Sequence, residues 1–578
     1  MCGFIGFFKK GGLKKEDIKN EKFSIKEISY RGPDATGINL FENLIFAHCR
    51  LSIIDLDQRS NQPMIDKENG NIIIFNGEIY NFEYLKKRLI KKGIEFLTNS
   101  DTEVLLKGFA FYGIDFFQKL KGMYSLAIYE KKSKQIILAR DFSGEKPLYY
   151  YHNQSQFIFS SEIKSIIPLI NNKLDIDNSE LSYFLRNGYS SLNNTILKDL
   201  KQIQPGQIIK FDERLNSLSN LRDFNIRDFI SNKEKDTENL VDNIYDLLKK
   251  SVKHQLIADV PIGTLLSGGL DSSILTTIAA KLNPGINAFS VRFPDGENAK
   301  DIELSKDLAF NLGIKHNVID AIKPSFYEII SLLENMDYPT GDPSIIPTYL
   351  LCKSVKKYCK VAIGGDGADE LFGGYKHINR SIKVAKTRKL LGNKVATIFL
   401  KVLYKFNLIE KNKYEKSILI LNNKIPLFPS LFTNEDLSSY INYDLKPIAN
   451  HIGQWEHIKK LHLELLISDF KNFLPNDILF KSDRISMISS LELRSPFLDI
   501  SLIKYMLNHY NFLLKKGYLN NKILLKSLAL EKLSLNFFKN KKLGFLPPIN
   551  KYFSEKIDRD YAYKYISENN YLDFNNNF

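Results

Sequence analysis

The chain has 578 residues, so two or more domains are expected, because a single hydrophobic core rarely extends over so long a chain. Its 44% hydrophobic and 25% charged residues are typical of a soluble globular protein, and no apolar stretch is long enough to span a membrane. The formal charge of +15 would suit a nucleic-acid partner, but the lysines are mixed with acids and no nucleic-acid motif accompanies them, so neither a nucleic acid nor a membrane is expected as a partner.

The amino-terminal part, residues 2–208, is predicted to be an α+β domain in which helices cover sheets. Short apolar segments separated by turns predominate. Helical periodicity occurs at about 81–92 and at about 102–112, the second after the capping pair Ser100-Asp101. Strands are predicted at residues 2–8, 44–54, 71–76, 123–130, 135–140, 147–151 and 156–160.

Cys2 directly follows the initiator methionine in the string MCGFIGF. It is either a small apolar residue at the start of a strand or, once Met1 is removed, a residue that carries a thiol and an α-amine on the same carbon. A thiol nucleophile needs a base, and an α-amine with a pKa of about 7.7–8 can act as one near neutral pH. The histidines of this domain, His48 and His152, are then not required, and both are expected to be structural.

Further strings in the first domain accompany Cys2 in a fixed order. Arg31-Gly32-Pro33-Asp34 indicates a turn. Arg50 ends a strand with a cation that can hold a carboxylate through two hydrogen bonds. Asn76-Gly77 ends another strand with an amide and a glycine N–H, the donors that an oxyanion requires. Asp101 could merely cap a helix. Each string alone is more simply a turn or a strand end, but together they favour a nucleophilic site.

The cysteines and the amino-terminal segment indicate the cellular compartment of the protein. Cys49, Cys352 and Cys359 have no spacing typical of a zinc or redox site and are predicted to be buried apolar residues. Four cysteines in so long a chain do not form a disulfide framework. Nothing at the amino end resembles a signal peptide, so a cytoplasmic protein is expected.

The organisation of the chain changes after residue 208. Residues 209–238 are polar and lack periodicity, which predicts a linker, and residues 239–578 are predicted to form a second domain. There the order strand, glycine loop, helix recurs, as in IGTLLSGGLDSSILTTIAAKL and KVAIGGDGADELFGGY. This alternation predicts an α/β domain with a doubly wound parallel sheet that binds ligands at the carboxyl ends of its strands. The region after about residue 385 is predicted to be mostly helical.

The string SGGLDSS at 267–273 indicates a phosphate-binding loop. A strand delivers two glycines to a helix amino terminus, where free N–H groups and the helix dipole favour an anion. It is not a Walker A loop, because no Gly-Lys-[Ser/Thr] follows. Asp271 inside such a loop would suit a Mg2+ that bridges a pyrophosphate. An ordinary glycine turn would explain the glycines alone, but not the whole string.

A second glycine-rich loop runs from Gly364 to Tyr375. Its carboxylates Asp366 and Asp369 could share a Mg2+ with Asp271. A solvated acidic loop is the alternative, but the glycines clear space for a ligand.

These motifs resemble known families. SGGLDSS resembles the pyrophosphatase-type ATP loop, and Cys2 with the strings that follow it resembles the class II (N-terminal nucleophile) glutamine amidotransferase domain. The whole chain resembles the glutamine-hydrolysing asparagine synthetase family, from Cys2 to the segment KKLGF at 541–545, including DILFKSDRISMISSLELRSPFLD at 477–499. The resemblance implies an αββα sandwich of antiparallel sheets followed by an ATP pyrophosphatase domain with a helical carboxyl-terminal region.

The resemblance also implies roles in the first domain. Cys2 would attack the side-chain amide of glutamine, while Asn76 and the N–H of Gly77 stabilise the oxyanion. Arg50 would hold the α-carboxylate of glutamine, with Glu78 and Asp101 nearer its ammonium. The residues that would bind glutamine are Arg50, Leu51, Ser52, Ile53, Ile54, Asn76, Gly77, Glu78 and Asp101.

In the second domain the resemblance implies ATP as co-substrate and Mg2+ as cofactor. Asp271 and Asp369 would hold the metal, Asp366 would assist formation of an acyl-adenylate, and Lys542 would lie near the phosphates. The residues that would bind ATP are Leu265, Ser267, Gly268, Gly269, Asp271, Ser272, Ser273, Val291, Gly364 and Gly365.

The implied reaction is amidation of the aspartate side-chain carboxylate through a β-aspartyl-AMP intermediate, with ammonia delivered from glutamine through an internal tunnel. Two departures bear on the acceptor: Asp366 stands where some members have Glu, and Pro343 stands where one branch has an arginine able to bind the aspartate α-carboxylate. Another carboxylate, such as a uronic acid of a surface polysaccharide, is the alternative acceptor. A homodimer is expected.

Overall fold

The structure is a computed structural model that describes residues 2–41, 43–170, 172, 174–231, 239–293, 298–322, 324–427, 431–432, 451–535 and 564. The first domain contains two antiparallel sheets and the second a parallel sheet with many helices, which confirms the predicted fold class.

Each antiparallel sheet of the first domain has six strands. The first sheet runs in the spatial order β10-β8-β9-β1-β3-β2, where the strands are β1 (Gly3–Lys9), β2 (Ala35–Leu40), β3 (Leu44–Arg50), β8 (Tyr149–His152), β9 (Gln156–Ser160) and β10 (Leu200–Gln202). The second runs in the order β12-β11-β7-β6-β5-β4, where the strands are β4 (Met64–Ile65), β5 (Ile72–Ile79), β6 (Gly122–Glu130), β7 (Gln135–Arg140), β11 (Gln207–Asp212) and β12 (Ser217–Asp223).

The two sheets face each other between two layers of helices. Phe4 of β1 and Ile74 of β5 share one buried core, whereas the next residue of β1, Ile5, packs with Ile25 of a helix on the outer face. This alternation follows from the two-residue period of a strand. The predicted αββα sandwich is therefore present. Its helices are α1 (Lys15–Glu27), α2 (Phe82–Ile90), α3 (Asp101–Tyr112), α4 (Ile163–Ile166) and α5 (Asn178–Asn187).

Some local predictions differ from the structure. The predicted strand 44–54 ends at Arg50, where the chain turns into a loop. Helix α1 was not predicted, because its sequence resembles a solvated charged segment. Residues 207–223, most of which fall in the predicted linker 209–238, form β11 and β12, since strand pairing with β7 outweighs the polar composition. The boundary between the domains stays a prediction.

In the part of the second domain that the structure describes, five parallel strands form a sheet in the order β15-β14-β13-β16-β19. The order of these strands reverses between β13 and β16, so the loops that follow them open a crevice there. Helices cover both faces of this sheet. Ala288 and Phe289 are neighbours on β14, and their side chains point to opposite faces and belong to two different hydrophobic cores. The strands are β13 (Ile262–Leu265), β14 (Asn287–Arg292), β15 (His316–Asp320), β16 (Val361–Ile363) and β19 (Glu492–Arg494).

The other described residues of the second domain are mostly helical and include one short hairpin, β17 (Lys424–Pro426) and β18 (His451–Gln454). Among the helices in the described part of the chain, none is both long and apolar enough to cross a membrane. The helices are α6 (Leu240–Gln255), α7 (Leu270–Leu282), α8 (Ala299–Asn311), α9 (Phe326–Asn335), α10 (Ile345–Val355), α11 (Ala368–Phe372), α12 (Lys376–Leu391), α13 (Asn393–Lys405), α14 (Lys411–Leu421), α15 (Ile458–Ser468), a π-helical segment (Asp469–Ile478), α16 (Leu479–Ile488), α17 (Ile500–Asn508), α18 (Tyr510–Lys515) and α19 (Ile523–Leu533).

Candidate functional site

Cys2 lies beside strand β5 although 74 residues separate it from its partner there. Its backbone nitrogen donates to Oδ1 of Asn76 at 2.9 Å, and its Sγ lies 4.0 Å from the carbonyl oxygen of Leu51. Cys2 is 7% exposed, and this burial raises the pKa of its thiol. A thiolate therefore needs a base close to Sγ.

Asn76 presents an unused donor at the same place. The residue is fully buried, and its Nδ2 has no hydrogen-bond partner among the residues that the structure describes. A buried polar group without a partner costs about 1–3 kcal/mol. A ligand oxygen beside Cys2 would satisfy this donor.

Gly77 cannot be replaced by a larger residue without moving the neighbouring strand. Its φ is +147°, and an added Cβ would lie 2.0 Å from the carbonyl oxygen of Met123 on β6. Glycine is thus required by both backbone conformation and space.

Arg50 holds the loop that follows β3. Its Nη1 donates to the carbonyl of Asp57 at 3.0 Å and to Oδ1 of Asn61 at 2.8 Å, and its Nη2 donates to the carbonyls of Ile54 and Asp55. Its terminal nitrogens therefore hold the loop in place, and binding of the glutamine α-carboxylate by Arg50 stays a prediction.

The other residues of this loop lie between the domains. Leu51 and Ile53 are buried, and the carbonyl of Ile53 accepts from the backbone N–H of Asp259 in the second domain at 2.9 Å. The backbone N–H of Ser52 donates to Oδ2 of Asp34 at 2.8 Å. The loop is therefore in contact with both domains.

Glu78 and Asp101 bring buried acid groups to the end of β5. Oδ2 of Asp101 accepts from the backbone N–H of Ile79 at 2.9 Å, while Ser100 caps helix α3. Burial raises the pKa of Asp101 to about 6 and raises that of Glu78 well above its usual range. Glu78 Oε2 has no hydrogen-bond partner among the described residues. Both acids could meet a ligand cation.

Arg494, which was not predicted from the sequence, reaches this first-domain site from the second domain. Its Nη2 lies 3.8 Å from Oε1 of Glu78, and its Nε donates to Glu492 at 2.6 Å. Contact between residues so far apart along the chain has no signal in a single sequence.

A buried ionic cluster joins the domains next to Cys2. Nη1 of Arg31 donates to Glu162 at 2.7 Å, and the two Nη atoms donate to the two carboxylate oxygens of Asp483 at 2.8 and 3.0 Å. Arg484 donates to Asp337 at 2.9 Å. The side chains of Arg31, Glu162, Asp337 and Arg484 are fully buried. Removing one member would leave an uncompensated buried charge.

The pH dependence of stability tests this cluster. Burial acts to raise the pKa of Asp483, but Arg31, Lys146 and Arg484 hold that pKa well below its usual range. A carboxyl with a depressed folded-state pKa stabilises the protein above its unfolded pKa of about 3.9, and this contribution is lost as the pH falls. Asp483→Asn is therefore expected to lower the unfolding temperature at pH 7, and the difference from wild type should shrink as the pH falls from about 5 to about 3. Calorimetry of both proteins measures this; a difference that stays constant contradicts it.

The glycine loop of the second domain joins β13 to α7 as predicted. Ser272 Oγ accepts from the backbone N–H of Ser267 at 3.1 Å and donates to the carbonyl of Gly269 at 3.2 Å. Gly268 has φ +73°, and an added Cβ would lie 2.2 Å from the carbonyl oxygen of Asp301. Ser273 Oγ is buried with no hydrogen-bond partner among the described residues. The start of α7 thus offers hydroxyl and N–H donors to an anion.

The second predicted loop lies against the first at the crevice between β13 and β16. The N–H of Gly364 donates to the carbonyl of Arg494 at 2.8 Å, and a Cβ added to Gly365 would lie 3.4 Å from Cβ of Asp271. The two other predicted ATP contacts, Leu265 and Val291, lie at or next to the ends of β13 and β14. The predicted ATP-binding residues therefore lie together at the carboxyl ends of the parallel strands.

Asp271 and Asp369 converge on one point, where Lys522 lies. Lys522 Nζ is 2.6 Å from Oδ2 of Asp271 and 2.6 Å from Oδ1 of Asp369. A Cβ added to Gly374 would lie 1.8 Å from Oδ1 of Asp369, so glycine makes room for this arrangement. Lys522 was not predicted, because a single lysine before an apolar helix is too common a pattern to indicate a site.

The residues present fit a magnesium ion bound together with phosphates. Mg2+ usually takes one or two carboxylates and completes its shell with phosphate oxygens and waters. The oxygens of Asp271 and Asp369 meet around a cationic group, which is the donor arrangement required. Within the described ranges, no three His, Cys, Asp or Glu side chains form a metal site. A metal here would therefore complete its shell with oxygens from a bound phosphate and from water.

Asp366 and the loop around Pro343 meet at helix α16. Oδ2 of Asp366 accepts from Ser482 Oγ at 2.6 Å. Lys481 Nζ donates to Asp342 and to Ser344 Oγ, both at 2.8 Å, so it bridges the residues on either side of Pro343. The predicted residue Lys542 lies outside the described residues.

Comparison with known proteins adds to this geometry. Residues 1–221 match the family model described as a glutamine amidotransferase domain, and residues 243–575 match the model described as asparagine synthase. The chain is 31% identical over 572 residues to asparagine synthetase [glutamine-hydrolyzing] 1 of Bacillus subtilis (strain 168), which covers 96% of this chain and 89% of that protein.

Two further relatives also match most of this chain. A putative asparagine synthetase [glutamine-hydrolyzing] 2 of Methanocaldococcus jannaschii is 30% identical over 540 residues, covering 86% of this chain and 100% of that protein. Amidase chry2 of Gibberella zeae is 25% identical over 566 residues, covering 88% of this chain and 82% of that protein.

Proposed function

The chain belongs to the glutamine-hydrolysing asparagine synthetase family, and on this basis we propose that it uses ATP to transfer the amide nitrogen of glutamine to the side-chain carboxylate of aspartate. The products would be asparagine, glutamate, AMP and pyrophosphate. The observation that carries the proposal is the presence of two different sites in one chain: Cys2 beside the unused amide donor of Asn76, and the acid pair Asp271 and Asp369 beside a phosphate-type loop.

The first half-reaction would begin at Cys2 after Met1 is removed. The α-amine accepts the thiol proton as Sγ attacks the glutamine side-chain carbonyl, and then gives this proton to the leaving amide nitrogen, so that ammonia leaves and a thioester forms. Water then hydrolyses the thioester to glutamate. Nδ2 of Asn76 and the N–H of Gly77 would donate to the oxyanion. Glu78 and Asp101 would face the glutamine ammonium.

Gly77→Ala should test the oxyanion site. The new Cβ would lie 2.0 Å from the carbonyl oxygen of Met123, and the φ of +147° is strained for alanine. The backbone must therefore move, and we expect kcat for glutamine hydrolysis to fall at least about 100-fold, the size of a lost oxyanion donor. Gly70→Ala is the control, because Gly70, in the turn before β5 and away from Cys2, also has a positive φ, +75°, and its added Cβ would lie 2.7 Å from Cδ of Lys131. Glutamate release is measured for both variants. Equal losses in both variants would contradict the assignment.

The second half-reaction would activate aspartate at the crevice between β13 and β16. The β-carboxylate attacks the α-phosphate of ATP, pyrophosphate leaves, and β-aspartyl-AMP results. Ammonia then attacks the acyl carbon and AMP leaves. Mg2+ held by Asp271 and Asp369 would neutralise charge on the pyrophosphate. Asp366 would assist adenylation, and Lys542 is proposed to lie near the phosphates.

The ammonia made at Cys2 must reach the second site without becoming protonated. Apolar side chains from both domains pack together beside the glutamine loop, which supports a shielded path. They are Leu51, Ile53, Tyr80, Met123, Val361 and Met487.

A panel of acceptors tests the proposal. The protein is supplied with ATP, Mg2+, glutamine and one carboxylate at a time, and pyrophosphate and amidated product are measured. Aspartate should give pyrophosphate and asparagine in equal amounts. Pyrophosphate release with a uronic acid but not with aspartate would instead favour the alternative acceptor, which Pro343 in place of an arginine leaves open.

A further inference from the structure

Four consecutive residues of helix α16 bond to three different segments of the molecule. Their partners belong to the loop between α9 and α10, to the second glycine loop and to the RGPD turn of the first domain. The pairs are Lys481 with Asp342, Ser482 with Asp366, Asp483 with Arg31, and Arg484 with Asp337. A single helix therefore contacts both proposed sites.

Arg31, which bonds to Asp483, also bonds to the backbone of Cys2. Nε of Arg31 donates to the carbonyl oxygen of Cys2 at 2.9 Å. Because the nitrogen of Cys2 is 2.9 Å from Oδ1 of Asn76, the Cys2 backbone is held on both sides. These two bonds fix the main chain from which Sγ projects.

The guanidinium of Arg31 is itself oriented by two acids. Asp483 accepts from both Nη atoms, at 2.8 and 3.0 Å, and Glu162 accepts from Nη1 at 2.7 Å. Glu162 belongs to the first domain, but Asp483 belongs to the second. Two parallel hydrogen bonds from one carboxylate fix the plane of a guanidinium more tightly than the single bond to Glu162 does.

We propose that Asp483 is a positioning residue for the reaction at Cys2: it holds Arg31 in the plane that bonds the Cys2 carbonyl, so that glutamine hydrolysis depends on a side chain of the other domain. This inference rests on the proposed function. A shift of about 1 Å in a nucleophile can cost about 100-fold in rate, whereas substrate binding need not change. Loss of Asp483 therefore acts on kcat for glutamine.

The test compares two activities of the full-length protein. Asp483→Asn removes the charge but keeps one acceptor oxygen, and Glu162 still pairs with Arg31. We expect kcat for glutamine hydrolysis to fall at least about tenfold, while KM for glutamine and kcat for ammonia-dependent amidation stay within about twofold. Asp483→Glu keeps the charge and displaces it by one methylene. It should fold and likewise lower kcat for glutamine hydrolysis without lowering kcat for ammonia-dependent amidation.

Lys360→Met is the matched control. Lys360 Nζ bonds to Oδ2 of Asp34 at 2.8 Å, so this substitution also removes an ion pair between the domains, but one without contact to Cys2. It should leave both activities within about twofold of wild type. Equal losses of both activities in folded Asp483 variants, unchanged glutaminase in them, or failure of both to fold would overturn the inference. A wild-type protein without either activity would instead overturn the proposed function itself.

Discussion

Replacement of Cys2 by alanine is expected to abolish glutamine hydrolysis and glutamine-dependent amidation, while amidation with free ammonia continues. Alanine has no nucleophile, and the change removes only a sulfur atom from a buried residue. Glutamate release should fall at least about 1,000-fold, as expected when a covalent nucleophile is lost. Asparagine formed from glutamine and from ammonium chloride is measured in parallel.

Cys49→Ala is the matched control for this experiment. Cys49 pairs with Gly3 on the neighbouring strand and is buried, but its Sγ contacts the carbonyl of Ile25 and the hydroxyl of Thr36 rather than the site. It should keep both activities. Loss of ammonia-dependent amidation in Cys2→Ala would count against two separate sites, and retained glutamine hydrolysis would remove Cys2 from the mechanism.

Replacement of Asp369 by asparagine is expected to stop pyrophosphate release with either nitrogen source. Asp271 and Asp369 together surround Lys522 Nζ at 2.6 Å, and a Mg2+ bound with ATP would use the same two carboxylates. Removing one charge should lower kcat/KM for ATP at least about 100-fold. Glutamine hydrolysis should persist, because Asp369 lies beside Lys522 at the crevice of the parallel sheet rather than beside Cys2.

Asp320→Asn is the control, because it also removes a carboxylate at the carboxyl end of a strand of the parallel sheet. Asp320 ends the edge strand β15 and pairs with Arg292 on the surface, away from the crevice between β13 and β16. It should leave ATP use unchanged. Normal pyrophosphate release in Asp369→Asn, or an equal loss in Asp320→Asn, would contradict the assignment of the acid pair.

Local patterns predicted much of the fold. Alternating apolar residues in β1 and the glycine string after β13 have short-range physical causes: the two-residue period of a strand and the need for close backbone approach. The parallel sheet followed from the alternation of strands, loops and helices. Helix α1 was not predicted, because its lysines and glutamates resemble an exposed segment. Its buried face is evident only in the structure, where Ile25 packs into a hydrophobic core.

The candidate site was predicted less completely than the fold. Asn76 and Gly77 could be paired with Cys2 because known motifs occur in a fixed order. Lys522 and Asp483 could not be assigned partners, because their bonds to Asp271 and Arg31 join residues 251 and 452 positions apart. Such contacts depend on how the two domains fold and pack, and one sequence carries no local signal for them.

Transfer of labelled nitrogen tests the central claim most directly. The wild-type protein is given glutamine labelled with 15N at the side-chain amide, together with aspartate, ATP, Mg2+ and an excess of unlabelled ammonium at a pH where most of it is protonated. The account predicts asparagine that carries the label predominantly, with one pyrophosphate per asparagine. Unlabelled asparagine, or glutamate and pyrophosphate without asparagine, would contradict it.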